Sequence, residues 1–294
     1  MDIQSDQKDF DVSVIIPVYN EEHAIYQAIT EIQKVLSSTN KKYQIIIVDD
    51  GSQDNSNSEA RKSGAEVITH AYNIGNGAAI KTGIRAAKGE IIVMIDGDRQ
   101  HDPKEIPALL DLMENYDMVV GARVPDSETT YHRTFANKIY NWMASYVCNK
   151  KIEDLTSGFR AIKTSIAKEF LHLLPNTFSY PTTITIAVAR SGYQFVYHPI
   201  KVVKREGKSK IKIIRDGYRF LLIIFKVATL FSPLKIFTPT ALFLFLLGFG
   251  YGLYKVIFLN SRYGPTSALL MTMAGLVFLI GLISEQITQL RYEK

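Results

Sequence analysis

Glu90–Asp96, EIIVMID, followed directly by Gly97, Asp98, Arg99, Gln100 and His101, decides the reading of this chain. Five consecutive apolar side chains from Ile91 to Ile95 predict a strand buried on both faces, as in a parallel sheet, with Asp96 and Asp98 standing where it ends. The same pattern recurs on either side, in Val12–Val18 (VSVIIPV), Tyr43–Asp49 (YQIIIVD), Glu66–Thr69 (EVIT) and Asp117–Ala122 (DMVVGA). Helical patterns fill the intervals at 21–37, 54–63, 77–87 and 103–115. Strands alternating with helices at this spacing predict an α/β domain, a mostly parallel sheet with helices on both faces joined by right-handed crossovers. Ligands of such sheets bind beyond the carboxyl ends of the strands. Asp49, Asp50, Gly51 and Ser52 follow one strand there, and Asp96 to Asp98 follow another that is expected to neighbour it.

Past residue 210 the chain changes character. IKIIRDGYRFLLIIFKVATLF, residues 211–231, reads as a basic amphipathic helix suited to the plane of a membrane interface. Two apolar stretches follow, 234–259 and 266–286, each long enough to cross a bilayer and joined by a short turn, so a two-helix transmembrane hairpin is expected. The competing reading is a pair of core helices in a larger soluble domain. The net charge of +5 is uneven: 201–235 holds ten Lys or Arg against Glu206 and Asp216. Basic residues crowd before the first span and only Arg262 lies in the turn, which predicts the N-terminal domain and the C-terminus on the cytoplasmic side. No secretory signal is visible at the N-terminus, and the single cysteine, Cys148, excludes an internal disulfide and fits a reducing compartment. The expected organisation is a domain over 1–210, the amphipathic segment 211–231 and the hairpin 232–294. The basic stretch abuts a membrane span and lacks interleaved base-stacking residues, so nucleic acid is not an expected partner.

Asp96-Gly97-Asp98 offers hard oxygen ligands of the kind that suit Mg²⁺ or Mn²⁺ bridging a diphosphate, with the glycine allowing close approach of a ligand. An ordinary turn uses the same residues. Two acidic strand ends side by side favour the first reading, because they are costly without a cation or hydrogen-bond donors between them. Asn20 is expected to cap the first helix, with Glu21 and Glu22 complementing its dipole. The run Ile74-Gly75-Asn76-Gly77-Ala78-Ala79-Ile80-Lys81-Thr82 invites a phosphate-loop reading, but Ile80 stands where that pattern requires glycine, so Gly75 and Gly77 read as turn and helix-start residues.

Six segments in order carry a resemblance: Val14-Ile15-Ile16-Pro17-Val18-Tyr19-Asn20-Glu21, Val48-Asp49-Asp50-Gly51-Ser52, Asp96-Gly97-Asp98-Arg99-Gln100-His101, Gly121-Ala122-Arg123, Thr156-Ser157-Gly158-Phe159-Arg160 and Arg205-Glu206-Gly207-Lys208-Ser209-Lys210. The chain resembles family-2 glycosyltransferases of GT-A fold, and among them the dolichol-phosphate mannose synthase-like and bactoprenol glucosyltransferase-like enzymes. The resemblance implies transfer of one hexose from a UDP- or GDP-linked donor to a polyprenyl phosphate, undecaprenyl or dolichyl, with inversion. It assigns Pro17, Tyr19, Glu21, Asp49 and Asp50 to the nucleotide, Asp96, Asp98 and Gln100 to metal and diphosphate, and Arg123, Arg160, Arg205, Ser209 and Lys210 to donor diphosphate or acceptor phosphate. Asp98 is the expected essential metal ligand, while Asp96 is left between metal, sugar and ribose. The polyanionic substrates suit the forked guanidinium groups. His101 reads as a residue entering the next helix, and Glu285, near the end of the second span, matches a glutamate of the family.

Two other readings compete. A processive polysaccharide synthase shares the sheet and acidic motifs but carries Gln-x-x-Arg-Trp, a pattern absent around Trp142, the one tryptophan. A non-catalytic, membrane-tethered nucleotide-sugar binder would use the same sheet and hairpin. Sugar, nucleotide and lipid are not legible in shared motifs, and an exposed membrane hairpin permits self-association.

Overall fold

The computed structural model describes residues 10–124, 131–177, 179–202 and 232–292, with residues 222, 225 and 229; for 131–137 and 291–292 it describes the backbone. The chain divides into two compact units, Met1–Gly217 and Tyr218–Lys294. In the first unit the elements run β1 (Phe10–Val18), α1 (Ile25–Ser37), β2 (Tyr43–Asp49), α2 (Ser56–Lys62), β3 (Glu66–Thr69), α3 (Asn76–Ala86) and β4 (Gly89–Met94). A single 3-10 turn, Pro103–Glu105, then leads into α4 (Ile106–Leu112), β5 (Met118–Arg123), α5 (Tyr131–Cys148), β6 (Arg160–Lys163), α6 (Thr164–Glu169), α7 (Tyr180–Arg190) and β7 (Phe195–Ile200).

Among the described residues these strands form a seven-stranded sheet in the order β3-β2-β1-β4-β6-β5-β7. The pairings β1–β2, β1–β4, β2–β3 and β5–β7 are parallel, while β6 runs against both β4 and β5. Period-2 geometry splits the apolar run of β1 between two faces. Ile15 fills the space left by the missing side chain of Gly83 on α3, whereas Val14 and Ile16 join the cluster holding Ile25, Ile29 and Ile32 of α1. Helices therefore cover both faces, as expected. The apolar positions of α1 recur at helical spacing, and Ile25, Ile29, Ile32 and Leu36 are all essentially inaccessible.

One expectation is corrected by the order of strands. β2 and β4 are not neighbours, because β1 lies between them. The chain reverses its direction of travel between β1 and β4, which makes the carboxyl ends of these two strands the switch point where sheets of this kind open a crevice.

The second unit holds α8 (Leu234–Phe258) and α9 (Pro265–Tyr292). Their contact is lined by small residues: a side chain at Gly248 would strike Leu270 and one at Gly281 would strike Phe237, while Ala241, Ser267 and Ala274 are buried. Phe243, Leu246, Leu269, Leu276 and Ile283 face outward. Small inside and large outside is the packing of membrane helices, which gain nothing by hiding leucine from lipid. Both stretches, Leu234–Phe258 and Pro265–Leu290, are long and apolar enough to cross a membrane; their most apolar 18-residue segments have mean hydropathy 1.8 and 2.2 and are each 17% buried, which disfavours the soluble-core reading. The second extends beyond the 286 expected. The Glu285 carboxylate accepts a long hydrogen bond, 3.4 Å, from the Leu234 amide at the start of α8, where a negative group complements the helix dipole.

Candidate active site

The motifs picked out in the sequence gather at one edge of the sheet. Pro17 to Glu21 leave β1, Asp49 and Asp50 end β2, Asp96 to Asp98 follow β4, Arg123 ends β5, and antiparallel β6 begins at the same edge with Arg160. The last residue described after β7, Val202, bridges His101 through the backbone. Arg205, Ser209 and Lys210 and nearly all of the expected amphipathic segment 211–231 lie outside the described residues.

At the β1–β2 end the loops bind each other. Asn20, in the left-handed region at φ 55°, donates its amide to Ser52 Oγ and accepts from the Gln53 amide through Oδ1. The Glu21 amide donates to Ser56 Oγ at 2.7 Å. Asn20 is thus no helix cap: α1 starts at Ile25 without a side-chain cap, and the asparagine clamps the turn after β2 instead. Tyr19 and Tyr72 are exposed aromatics at this end, and the sequence reading passed over Tyr72.

Asp49 and Asp50 are each 2% exposed and their oxygens are already engaged. Asp49 accepts from the Ser52 amide and from Asn57 Nδ2. Asp50 accepts from the Ile74 and Gly75 amides and lies 2.7 Å from His70 Nδ1, whose Nε2 meets Thr82 Oγ1. The cost of two adjacent buried carboxylates is met by the protein's own donors, not by a cation between strand ends, and their structural work is to fix the loop at 72–75.

That loop sets the start of α3. Gly75 sits at φ 125°, and a side chain there would lie 2.3 Å from Asn176 O. One at Gly77 would lie 2.1 Å from Pro175 O and 2.5 Å from Thr177 O. The Ala78 amide donates to Asn176 O, so carbonyls of 175–177 occupy the helix N-terminus where a phosphate loop would hold its anion. Gly77→Ala must displace backbone, and we expect it to destabilise the domain by about 2–3 kcal/mol. Thermal unfolding of the detergent-solubilised chain checks this against the unsubstituted protein; an unchanged melting temperature would refute the packing argument.

Asp96, Asp98 and Gln100 differ from the buried pair in being partly exposed. Asp98 Oδ1 accepts from the Gln100 amide at 3.2 Å, and Arg99, in the left-handed region at φ 58°, ties the loop to α1 through Gln27 and Glu31. The glycine between the carboxylates serves packing and not ligand approach, since its missing side chain faces Ile25 and Ile16. Among the described residues no three His, Cys, Asp or Glu converge to hold a metal unaided.

Arg123 is gripped by Asp154, Nε to Oδ2 at 2.7 Å and Nη2 to Oδ1 at 2.8 Å, with Thr156 Oγ1 accepting a further bond. Burial works against the Arg123 charge, but Asp154 and then Asp96 outweigh it and raise its pKa; Asp154 is held below its ordinary range, burial being overcome by Arg123. Arg160 corrects its expected role. It is fully buried and donates to Pro181 O, Thr185 Oγ1 and Ser157 O, so it braces the 157–160 turn from beneath and offers no face to a phosphate. Gly158 has Asp96 Oδ2 at 3.0 Å and Tyr180 Oη at 3.2 Å from where a side chain would begin. His101 stands at the helix entry as expected, just before Asp102, which caps the 3-10 turn leading into α4, and its imidazole is buried and stacked on Phe159 at 5.3 Å. Burial lowers its pKa to about 4, against the pull of Asp98, so it is neutral at pH 7.

The family model described as glycosyl transferase family 2 matches residues 13–171, which contain every one of these edge motifs except Val202. The chain belongs to glycosyl transferase family 2. A second model, the GtrB C-terminal hairpin, matches residues 232–290 of this glycosyltransferase, the stretch that forms α8 and α9. Among curated proteins, undecaprenyl-phosphate 4-deoxy-4-formamido-L-arabinose transferase of Edwardsiella ictaluri (strain 93-146) is 27% identical over 263 residues, covering 86% of this chain and 78% of that protein. Among solved structures, glucosyl-3-phosphoglycerate synthase from Mycobacterium tuberculosis with Mn²⁺, UDP and phosphoglyceric acid superposes at TM-score 0.61 and 17% identity, over 76% of this chain and 80% of that one. The same synthase with Mn²⁺ and UDP-glucose gives 0.59 and 20%, over 74% and 80%. These likenesses show that the GT-A fold expected from the motifs is the fold of this family-2 glycosyltransferase.

Proposed function

We propose that this glycosyltransferase moves one hexose from a UDP- or GDP-linked donor to a polyprenyl phosphate, with inversion at the anomeric carbon. The observation that carries the reading is the meeting, at one sheet edge, of the partly exposed carboxylates Asp96 and Asp98 with the Asp154-held guanidinium of Arg123. The glycosyl transferase family 2 match, the GtrB hairpin match and the undecaprenyl-phosphate relative support the lipid acceptor. Pro17, Tyr19 and Glu21 border the nucleotide end, with Asp49 and Asp50 shaping it from below. Insertion of α8 and α9 in a bilayer, with the catalytic domain and C-terminus cytoplasmic, belongs to the same proposal. So does the division at 1–210, 211–231 and 232–294, and so do the phosphate-binding roles of Arg205, Ser209 and Lys210.

A divalent cation, Mg²⁺ or Mn²⁺, fits the donor set. Asp96 and Asp98, with Gln100 beside them, would hold the ion as hard oxygen ligands and leave room for donor diphosphate and water, in keeping with the glucosyl-3-phosphoglycerate synthase structure that holds Mn²⁺ with UDP. When bound, the ion neutralises charge on the departing nucleoside diphosphate. The chain's own part is positional. A phosphate monoester is anionic at neutral pH, so its oxygen attacks C1 without a general base, and Arg123 orients phosphate oxygens by its remaining donors while Asp154 holds it in register. Neutral His101 packs the loop without adding charge.

The test is incubation of the detergent-purified chain with Mg²⁺ or Mn²⁺, polyprenyl phosphate and a panel of radiolabelled UDP- and GDP-sugars, counting label in the organic phase. One donor is expected to label the lipid, and chelation is expected to abolish it. Nucleotide-sugar binding with no label from any donor would overturn the reading in favour of a tethered binder.

A further inference from the structure

Among the described residues, four other than glycine hold a left-handed backbone: Asn20, Arg99, Asn149 and Asn260. Three are asparagine, which tolerates that region because its short side chain bonds locally. Arg99, at φ 58°, is the exception, and it stands between Asp98 and Gln100. Glycine adopts such a turn at no steric cost, so an arginine here points to work that only its side chain can do.

That side chain reaches α1. Nη1 donates to Gln27 Oε1 at 2.6 Å and Nη2 to Glu31 Oε1 at 2.8 Å, two residues one helical turn apart on the exposed face of the helix. α1 is a firm anchor, because Ile25, Ile29 and Ile32 are sealed in the core and the Glu22 amide at its approach donates to Asp54 Oδ2. The loop also meets the helix at Gly97, where a side chain would begin 3.2 Å from Ile25 Cδ1. Gly97 and Arg99 thus fasten the loop to α1 on either side of Asp98. Were residue 99 to relax to the right-handed region, the peptides joining it to Asp98 and Gln100 would turn. The Gln100 amide would then lose Asp98 Oδ1, which it meets at 3.2 Å.

We propose that Arg99 is a positioning residue of the metal site: its fork, held by Gln27 and Glu31, keeps 98–100 in the turn from which Asp98 and Gln100 serve the divalent cation. The inference rests on the metal reading proposed above, and on neither the sugar nor the acceptor. The charge of Arg99 and its tether pull in opposite directions. As a charge next to Asp98 it repels a metal ion and weakens binding, whereas as a tether it holds the ligands in place and strengthens binding. Removing it therefore shows by sign which role governs.

Mn²⁺ alone is the probe, titrated into the full chain in detergent and followed by the enhancement of water-proton relaxation; only the binding that Asp98→Asn abolishes is counted. Arg99→Ala and Glu31→Ala are exchanges at exposed positions that leave the core untouched, and they remove charges of opposite sign. Each is expected to raise the Mn²⁺ dissociation constant about fivefold, and the double variant about fivefold and no further, since either change cuts the same tether. Charge alone would tighten binding in Arg99→Ala and loosen it in Glu31→Ala, and that divergence would overturn the proposal. So would affinities equal to the parent's in both variants. A parent chain with no Mn²⁺ binding dependent on Asp98 overturns the metal reading and this proposal with it, a failure seen before any tether variant is compared.

Discussion

Asp98→Asn is expected to lower kcat by about 10³-fold while leaving the melting temperature unchanged. The amide keeps the shape of the side chain and can still accept the bond from the Gln100 amide, so the loop after β4 keeps its geometry and only the charge is lost. Asp98 is partly exposed, so the substitution buries no new polar group. Initial rates at saturating donor, with Mg²⁺ and with Mn²⁺, supply the readout. A variant within tenfold of the parent in both metals would remove Asp98 from the metal site.

Asp154→Ala is expected to act on stability and activity together. It strips the bidentate partner from an Arg123 guanidinium that is largely enclosed, and a charge left buried without its partner destabilises by about 3 kcal/mol. Arg123 would also lose its orientation, costing on the order of 10² in kcat/KM. The double variant Arg123→Met/Asp154→Leu separates the two effects. Replacing the pair by apolar groups of like volume should return the melting temperature to near that of the parent, because no unpaired charge remains, while activity stays low. If the double variant regained activity along with stability, the pair would be structural and Arg123 would not touch substrate.

The parts of the fold that could be read from sequence are those where one physical signal stands alone. β1 to β5 are apolar runs ending in turn residues, and the expected strands agree with the observed ones to within about two residues. α7 shows why the rest was silent. Tyr180–Arg190, YPTTITIAVAR, is rich in β-branched residues and buried on every side, so neither helical periodicity nor propensity marks it, and tertiary packing overrides both. β6 is four residues with a charge at each end, and β7 contains His198 and Pro199, so neither presents a continuous apolar run. At the site, the motifs gather at one edge of the sheet, but the depth of each group was not legible in them. Asp49, Asp50 and Arg160 belong to the same motifs as Asp98 and Arg123, yet burial makes them braces. Sequence shows that a charge is present; it does not show which neighbours have already claimed it.

The antiparallel run of β6 gives the enzyme a seam. The β1–β2–β4 end of the edge is assembled from residues 12–98, whereas the corner made by Arg123, Asp154 and Arg160 is assembled from the stretch 118–163, whose β6 folds back between β4 and β5. Between them lie only the 3-10 turn and α4. β6 pairs with β4 across this seam and the carbonyls of 175–177 close the N-terminus of α3, so the two parts are sewn together by backbone and a shift in either is expected to carry the other with it.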